Sequence, residues 1–309
     1  MGRRRRSTPG LDGLLLLAKP AGPTSHDQVA VARRLFGQPR LGHAGTLDPP
    51  AAGLLLLCLG RATRLLEFLV GHDKTYRGEL VFGRATTTYD DHGETTAEAD
   101  ASALTAAQLQ AALLNFVGAL EQVPPPVSAK KIDGVRAHRL VRAGQTPELP
   151  AVPIRIDRLD LLDFTPGPAA IARVRVRCST GTYIRALAHD LGAALGVGGH
   201  LRGLVREAVG PFTLAEATGL DALATLDPAG RRAALRPLRD CLGDLPRAVL
   251  PPEHWPDLLL GRALPAAEGI EGPVALLSAE GDVLAIAEGD GEIWRPRKVL
   301  LQPPSSQEA

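Results

Sequence analysis

The residues that could do chemistry concentrate between Leu41 and Thr63, where one acidic side chain, Asp48, sits on a loop rich in glycine and proline directly ahead of the apolar run Leu54–Leu59. Gly42, Gly45 and Gly53 permit backbone angles and close approaches that a side chain would block. Pro49 fixes its own φ and keeps Asp48 out of the helical region. The loop is therefore expected to be rigid, holding a carboxylate at the edge of a buried strand or the start of a core helix. Two readings follow from these residues alone. Asp48 is an ordinary turn-former whose carboxylate bonds nearby backbone N–H groups, or it is half of a glycosidase-type pair, for which the chain offers no obvious second carboxylate.

The elements around this loop are legible from their patterns. Leu14–Ala18 reads as a short strand that enters the turn-rich string Lys19-Pro20-Ala21-Gly22-Pro23-Thr24-Ser25. A helix follows, with capping-box spacing at Ser25-x-x-Gln28 and Val29, Ala32 and Phe36 on one face. Lys74–Phe82 alternates as a strand with Tyr76, Gly78, Leu80 and Phe82 on one side. Thr86–Gly93 reads as a polar turn, and its Asp90 and Asp91 lack the spacing of a calcium loop. Thr105-x-x-Gln108 opens a second helix. Ile171–Cys178 is the clearest strand, with Ala172, Val174, Val176 and Cys178 facing a core and Arg173, Arg175 and Arg177 facing away. It feeds Ser179–Arg185 and then a helix carrying Ile184, Leu187, Ala188, Leu191 and Leu195 at helical spacing. Gly243–Pro256, with four prolines, is expected to be a stiff linker or domain edge. Beyond it, short alternating runs separated by Gly/Asp turns predict a small all-β module.

Composition narrows the classes. With 309 residues and 45% hydrophobic content, the chain can fill one large domain and a small one. Cys58, Cys178 and Cys241 are dispersed and odd in number, which argues against a disulfide framework or a metal clip and suits a reducing cytosol. Arg3–Arg6 reads as a basic tail, because the apolar run after it is too short for a secretion signal. No stretch approaches a membrane span. The net charge is only +1, but arginines crowd Ile171–Arg206, and Lys130, Lys131, Arg136, Arg139 and Arg142 crowd a second stretch. Two basic islands in a near-neutral chain predict a polyanion-binding face.

The string Gly42-His43-Ala44-Gly45-Thr46-Leu47-Asp48-Pro49, followed by Ala52-Gly53 and Gly60-Arg61-Ala62-Thr63, resembles the catalytic motif of the bacterial TruB family, the tRNA pseudouridine-55 synthases. Lys19-Pro20-x-Gly22-x-Thr24-Ser25 resembles the family's first motif, Lys74-x-Tyr76-Arg77 its second, and Cys178-Ser179-x-Gly181-Thr182-Tyr183-Ile184-Arg185 with Asp190-Leu191-Gly192 its third. Trp294–Leu300 resembles the end of a PUA domain.

The resemblance implies an α+β pseudouridine synthase fold: a central mixed or antiparallel sheet flanked by helices, plus a C-terminal PUA-like barrel. The implied organisation is a flexible basic tail over 1–12, a catalytic domain over 13–243 with a tRNA-binding insertion at about 124–150, a PUA-like domain over 250–302 and a disordered tail over 303–309. It implies isomerisation of a T-loop uridine, with the N-glycosidic bond cut and C5 rejoined to the same sugar. Asp48 is the expected catalytic carboxylate, as nucleophile or as base. Tyr76 offers a stacking face, Leu204 an apolar wall, and His43 a ring to hold the space the base vacates. Arg185 is expected to pair with Asp48, and Tyr183 to support that pair or help move the C5 proton. Lys19, Lys130, Lys131, Arg139 and Arg142 are expected tRNA contacts. No metal and no cofactor are expected, and the partner is the T-arm of tRNA, met by a cytoplasmic monomer with no guide RNA or obligate protein partner. Competing readings are an RNA chaperone without chemistry, which gains nothing from an anion on such a loop, and a guide-dependent relative.

Overall fold

The run Leu54–Leu59 is a strand, and every one of its side chains is fully buried. In the computed structural model of the protein, which describes residues 11–128, 131–132, 135–136, 149–266 and 269–302, this segment is β3 (Ala52–Leu59), antiparallel to β1 (Gly13–Lys19) and to β2 (Leu41–Ala44). Leu54, Leu56 and Cys58 enter one core, while Leu55, Leu57 and Leu59 enter another. Burial on both faces explains why the run is continuously apolar where a half-buried strand would alternate. The helix α1 (Ser25–Phe36) covers the second core with Val29, Ala32 and Phe36. Its N-cap is Thr24, in a capping box with Asp27, one residue earlier than the Ser25-x-x-Gln28 spacing suggests.

The nine-stranded main sheet continues with β4 (Lys74–Phe82), β10 (Val152–Thr165), β11 (Ile171–Cys178) and β12 (Gly199–Val209), in the order β1-β3-β12-β4-β11-β10, with one more strand, β7 (Gly118–Gln122), at the far edge. The sheet is mixed: β12 runs parallel to β3 and antiparallel to β4. This placement is what assembles the site, because Arg206 on β12 stands opposite Tyr76 on one side and Gly53 on the other. Gly53 adopts φ 113°, and a Cβ there would run into the backbone of Arg206, so only glycine permits this parallel approach. One face of β4 and β11 packs on α4 (Ile184–Ala194) through Ile184, Leu187, Ala188 and Leu191.

The opposite face of these strands differs from expectation. Arg173 pairs with Glu79 and Asp163, Arg175 with Glu207, Arg177 with Asp157, and Arg202 with Glu79. Acids on neighbouring strands pair with Arg173, Arg175, Arg177 and Arg202 of the first basic island, so this face is an ionic mosaic and not a bare cationic one. Of the second island, Lys130, Arg139 and Arg142 lie outside the described residues, and Lys131 is described only as a backbone position in the two-residue strand β8 (Lys131–Ile132).

Beyond Gly243 a five-stranded sheet forms from β14 (Arg247–Val249), β15 (Leu264–Pro265), β16 (Glu271–Leu277), β17 (Val283–Asp290) and β18 (Ile293–Val299). The expected linker thus contains a strand, β14, paired in parallel with β16. The sheet has its own core around Leu258, Leu276 and Trp294. It also lends Ala275, Val283, Ile286 and Leu300 to the core containing Leu54 and Leu56. Lys298 bonds Glu67, and Arg61 donates to the carbonyl of Leu300, closing the polar rim of that junction.

Candidate active site

Asp48 lies on the loop between β2 and β3, and three groups from elsewhere in the chain fix that loop. Ser25 holds Leu47 from both sides, its hydroxyl donating to the Leu47 carbonyl and accepting from the Leu47 N–H. Lys19 donates through Nζ to the carbonyls of Pro20, Pro49 and Ala51 at 2.9, 3.2 and 2.6 Å. Arg206 donates through Nη2 to Gly45 O and through Nε to Leu54 O, one on each side of Asp48. Lys19, an expected tRNA contact, is only 2% exposed, with its ammonium bound to the carbonyls of Pro20, Pro49 and Ala51. Burial lowers its pKa, and the Asp48 carboxylate opposes that shift.

Arg185 enters from the first turn of α4. Its Nη2 stands 2.9 Å from Asp48 Oδ2 and donates to Val127 O, while its Nη1 donates to Thr88 O and lies 3.6 Å from Asp90 Oδ2. The guanidinium is thereby held by two carbonyls and two carboxylates. Tyr183 sits just before this helix, its backbone clamped by the Gln122 side chain, which donates to Tyr183 O and accepts from Tyr183 N.

These residues surround a cavity of about 280 Å³ lined by Asp48, Lys74, Tyr76, Thr180–Arg185, Leu204 and Arg206 among others. Tyr76, Tyr183, Arg185 and Leu204 therefore meet Asp48 as expected. His43 does not line it: its ring packs edge-on against His26 at 5.3 Å, with Nδ1 buried and without a hydrogen bond. Burial first and His26 second hold the His43 pKa below the usual value. Burial raises the pKa of both Tyr76 and Tyr183, keeping their phenols protonated. Lys74 is pushed down to about 8, by burial and then by the nearby Arg206; its Nζ donates to Val70 O and His72 O.

Four members of the site are not among the residues expected there: Lys74, Asp90, Gln122 and Arg206. The signal for two of them is strand periodicity, since Lys74 precedes Tyr76 by two and Arg206 follows Leu204 by two. Among the described residues, no group of three or more His, Cys, Asp and Glu side chains is placed to hold a metal.

The chain carries matches to two family models: the TruB family pseudouridylate synthase N-terminal domain over residues 33–184, and the tRNA pseudouridylate synthase B C-terminal domain over 185–250. It is 52% identical over 240 residues to the tRNA pseudouridine synthase B of Symbiobacterium thermophilum, covering 78% of this chain and 79% of that one. To the Mycobacterium ulcerans protein of the same name it is 43% identical over 307 residues, covering 98% and 99%. The solved archaeal box H/ACA Nop10–Cbf5 complex contains a chain of the same fold, with a TM-score of 0.70 at 23% identity over 94% of this chain and 86% of that one. The fold is that of the pseudouridine synthases, and the chain belongs to the TruB family of pseudouridylate synthases.

Proposed function

We propose that the chain isomerises uridine to pseudouridine at position 55 in the T-loop of tRNA. The observation that carries the reading is the Asp48–Arg185 pair at 2.9 Å at the wall of a cavity with two tyrosines and a leucine. Family membership and relatives named for tRNA add to it. A stacked base must be flipped out to reach such a cavity, at a cost of a few kcal/mol repaid by stacking and hydrogen bonds. Tyr76 supplies an aromatic face and Leu204 an apolar wall. Asp48 then promotes rupture of the N1–C1′ bond, either by attacking the sugar or base or by taking a proton. The uracil turns within the cavity, C5 bonds to C1′, the C5 proton leaves to Asp48 or water, directly or relayed through the Tyr183 hydroxyl, and N1 takes up a proton. Atoms balance without a co-reactant, as an isomerisation requires.

The same RNA grip would let the protein refold tRNA as a chaperone, without a guide RNA, as a cytoplasmic monomer whose PUA-like C-terminal sheet adds RNA contacts. Mapping pseudouridine by carbodiimide adducts on a full tRNA transcript tests the position. The expected result is a single new stop at residue 55. Modification elsewhere, or only in the presence of a second RNA, would replace this substrate with another.

A further inference from the structure

We infer that Tyr89 is a positioning residue for Arg185, acting through a ring stack on His189; the inference rests on the synthase reading above. Tyr89 has φ 62°, the only non-glycine residue with a positive φ among the described residues. A bulky side chain rarely adopts this conformation, and where it does the surrounding structure must enforce it. Its ring lies on the His189 ring with centroids 3.8 Å apart and an interplanar angle of 11°.

The consequence appears one helical turn away. Arg185 and His189 are four residues apart on α4 and so lie on the same face. The residues flanking Tyr89 take hold of Arg185: Thr88 through its carbonyl at 3.1 Å, and Asp90 through its carboxylate at 3.6 Å. The left-handed turn at Tyr89 lets both neighbours face the guanidinium while the ring between them reaches His189. The segment therefore grips α4 at two successive turns. Its outer end is moored to β12, where the Leu201 N–H donates to Tyr89 O and His200 Nε2 lies 2.7 Å from Asp91 Oδ1. Thr86 and Thr88 hydroxyls donate to Asp90 O and Oδ1, which holds the turn itself. With the mooring and the turn made by the backbone and by Asp90, the stack is the contact that sets the distance from the turn to α4, and so the aim of Arg185 at Asp48.

The test compares wild type, Tyr89→Ala, Tyr89→Phe, His189→Ala and the double variant Tyr89→Ala/His189→Ala in single-turnover pseudouridine formation on a tRNA transcript, with RNA binding measured separately. Wild-type activity checks the synthase reading; only the ratios among variants bear on this one. The expected result is a roughly tenfold fall in the rate for Tyr89→Ala with binding unchanged, a rate within about twofold of wild type for Tyr89→Phe, and a double variant no slower than the slower single. His189→Ala removes the stack without touching the unusual backbone, so it reports even where Tyr89→Ala folds poorly. Rates within about twofold of wild type for both alanine variants, additive losses in the double variant, or a Tyr89→Phe as slow as Tyr89→Ala would overturn the inference.

Discussion

Asp48 and Arg185 form an ion pair whose two halves live in different surroundings: the Asp48 side chain is 47% exposed and the Arg185 side chain 8%. The cation is the fixed member, held by Thr88 O and Val127 O as well as by Asp90. The anion stands at the mouth, open to an incoming base. An arrangement of this kind orients the carboxylate in advance of substrate, which is where electrostatic preorganisation is worth most.

Arg185→Lys keeps the charge but loses the planar fork, and an ammonium cannot reach two carbonyls and two carboxylates in the same plane. The rate of pseudouridine formation at saturating tRNA is expected to fall by about 100-fold or more. Binding, measured by filter retention, is expected to change by less than about threefold.

Lys19→Met takes the ammonium donor from the buried Ala51 carbonyl, while Pro49 O keeps the Gly22 N–H. Unpaired buried acceptors cost about 1–3 kcal/mol each, so the melting temperature and the catalytic rate should both drop. The salt dependence of tRNA binding should keep its slope, because no phosphate contact is lost. A slope reduced by about one would place Lys19 at the RNA interface.

Lys74 couples stability to pH. Its folded pKa, about 8, lies below its ordinary value of 10.5, so between these limits the unfolded chain binds more protons than the folded one. Stability therefore rises as pH increases through that window, and the penalty for burying the charge is complete below about pH 8. The full swing is on the order of 3 kcal/mol. Urea denaturation at pH 7.5 and pH 10 should show wild type gaining on Lys74→Met as pH rises; parallel curves would contradict the buried ammonium.

Arg175→Gln tests the ionic mosaic. Arg175 is paired with Glu207 on the exposed sheet face, and such pairs contribute about 0–1 kcal/mol. The variant should bind tRNA like wild type at all salt concentrations and lose little stability. A weakened, less salt-sensitive complex would show that the face meets RNA after all.

What the sequence makes legible depends on whether the relevant interaction is local. Ile171–Cys178 and Lys74–Phe82 declare themselves because alternation is a property of consecutive residues. The double burial of Leu54–Leu59 is ambiguous between strand and helix until β1, β2 and β12 flank it. Ser25 has capping spacing, yet its hydroxyl is spent 22 residues away on Leu47, and Thr24 takes the cap. Long-range pairing also undoes much of the basic island: Glu79 and Glu207 are remote in sequence from the arginines they neutralise, and only the strand register brings them together. Lys19 reads as a free cation because nothing local shows that three carbonyls converge on it. At the site, the motif residues Asp48, Tyr76, Tyr183, Arg185 and Leu204 converge as expected, while Gln122 and Asp90 belong to it only through the fold.

The most direct test of the account is release of tritium from uridine C5 in a labelled T-arm minihelix, comparing wild type with Asp48→Asn and measuring binding of both. Release by wild type alone is expected, with the variant binding the RNA as tightly. Tritium release by Asp48→Asn at the wild-type rate would contradict the assignment of the chemistry to Asp48, and binding by both proteins with release by neither would contradict the synthase reading for this RNA.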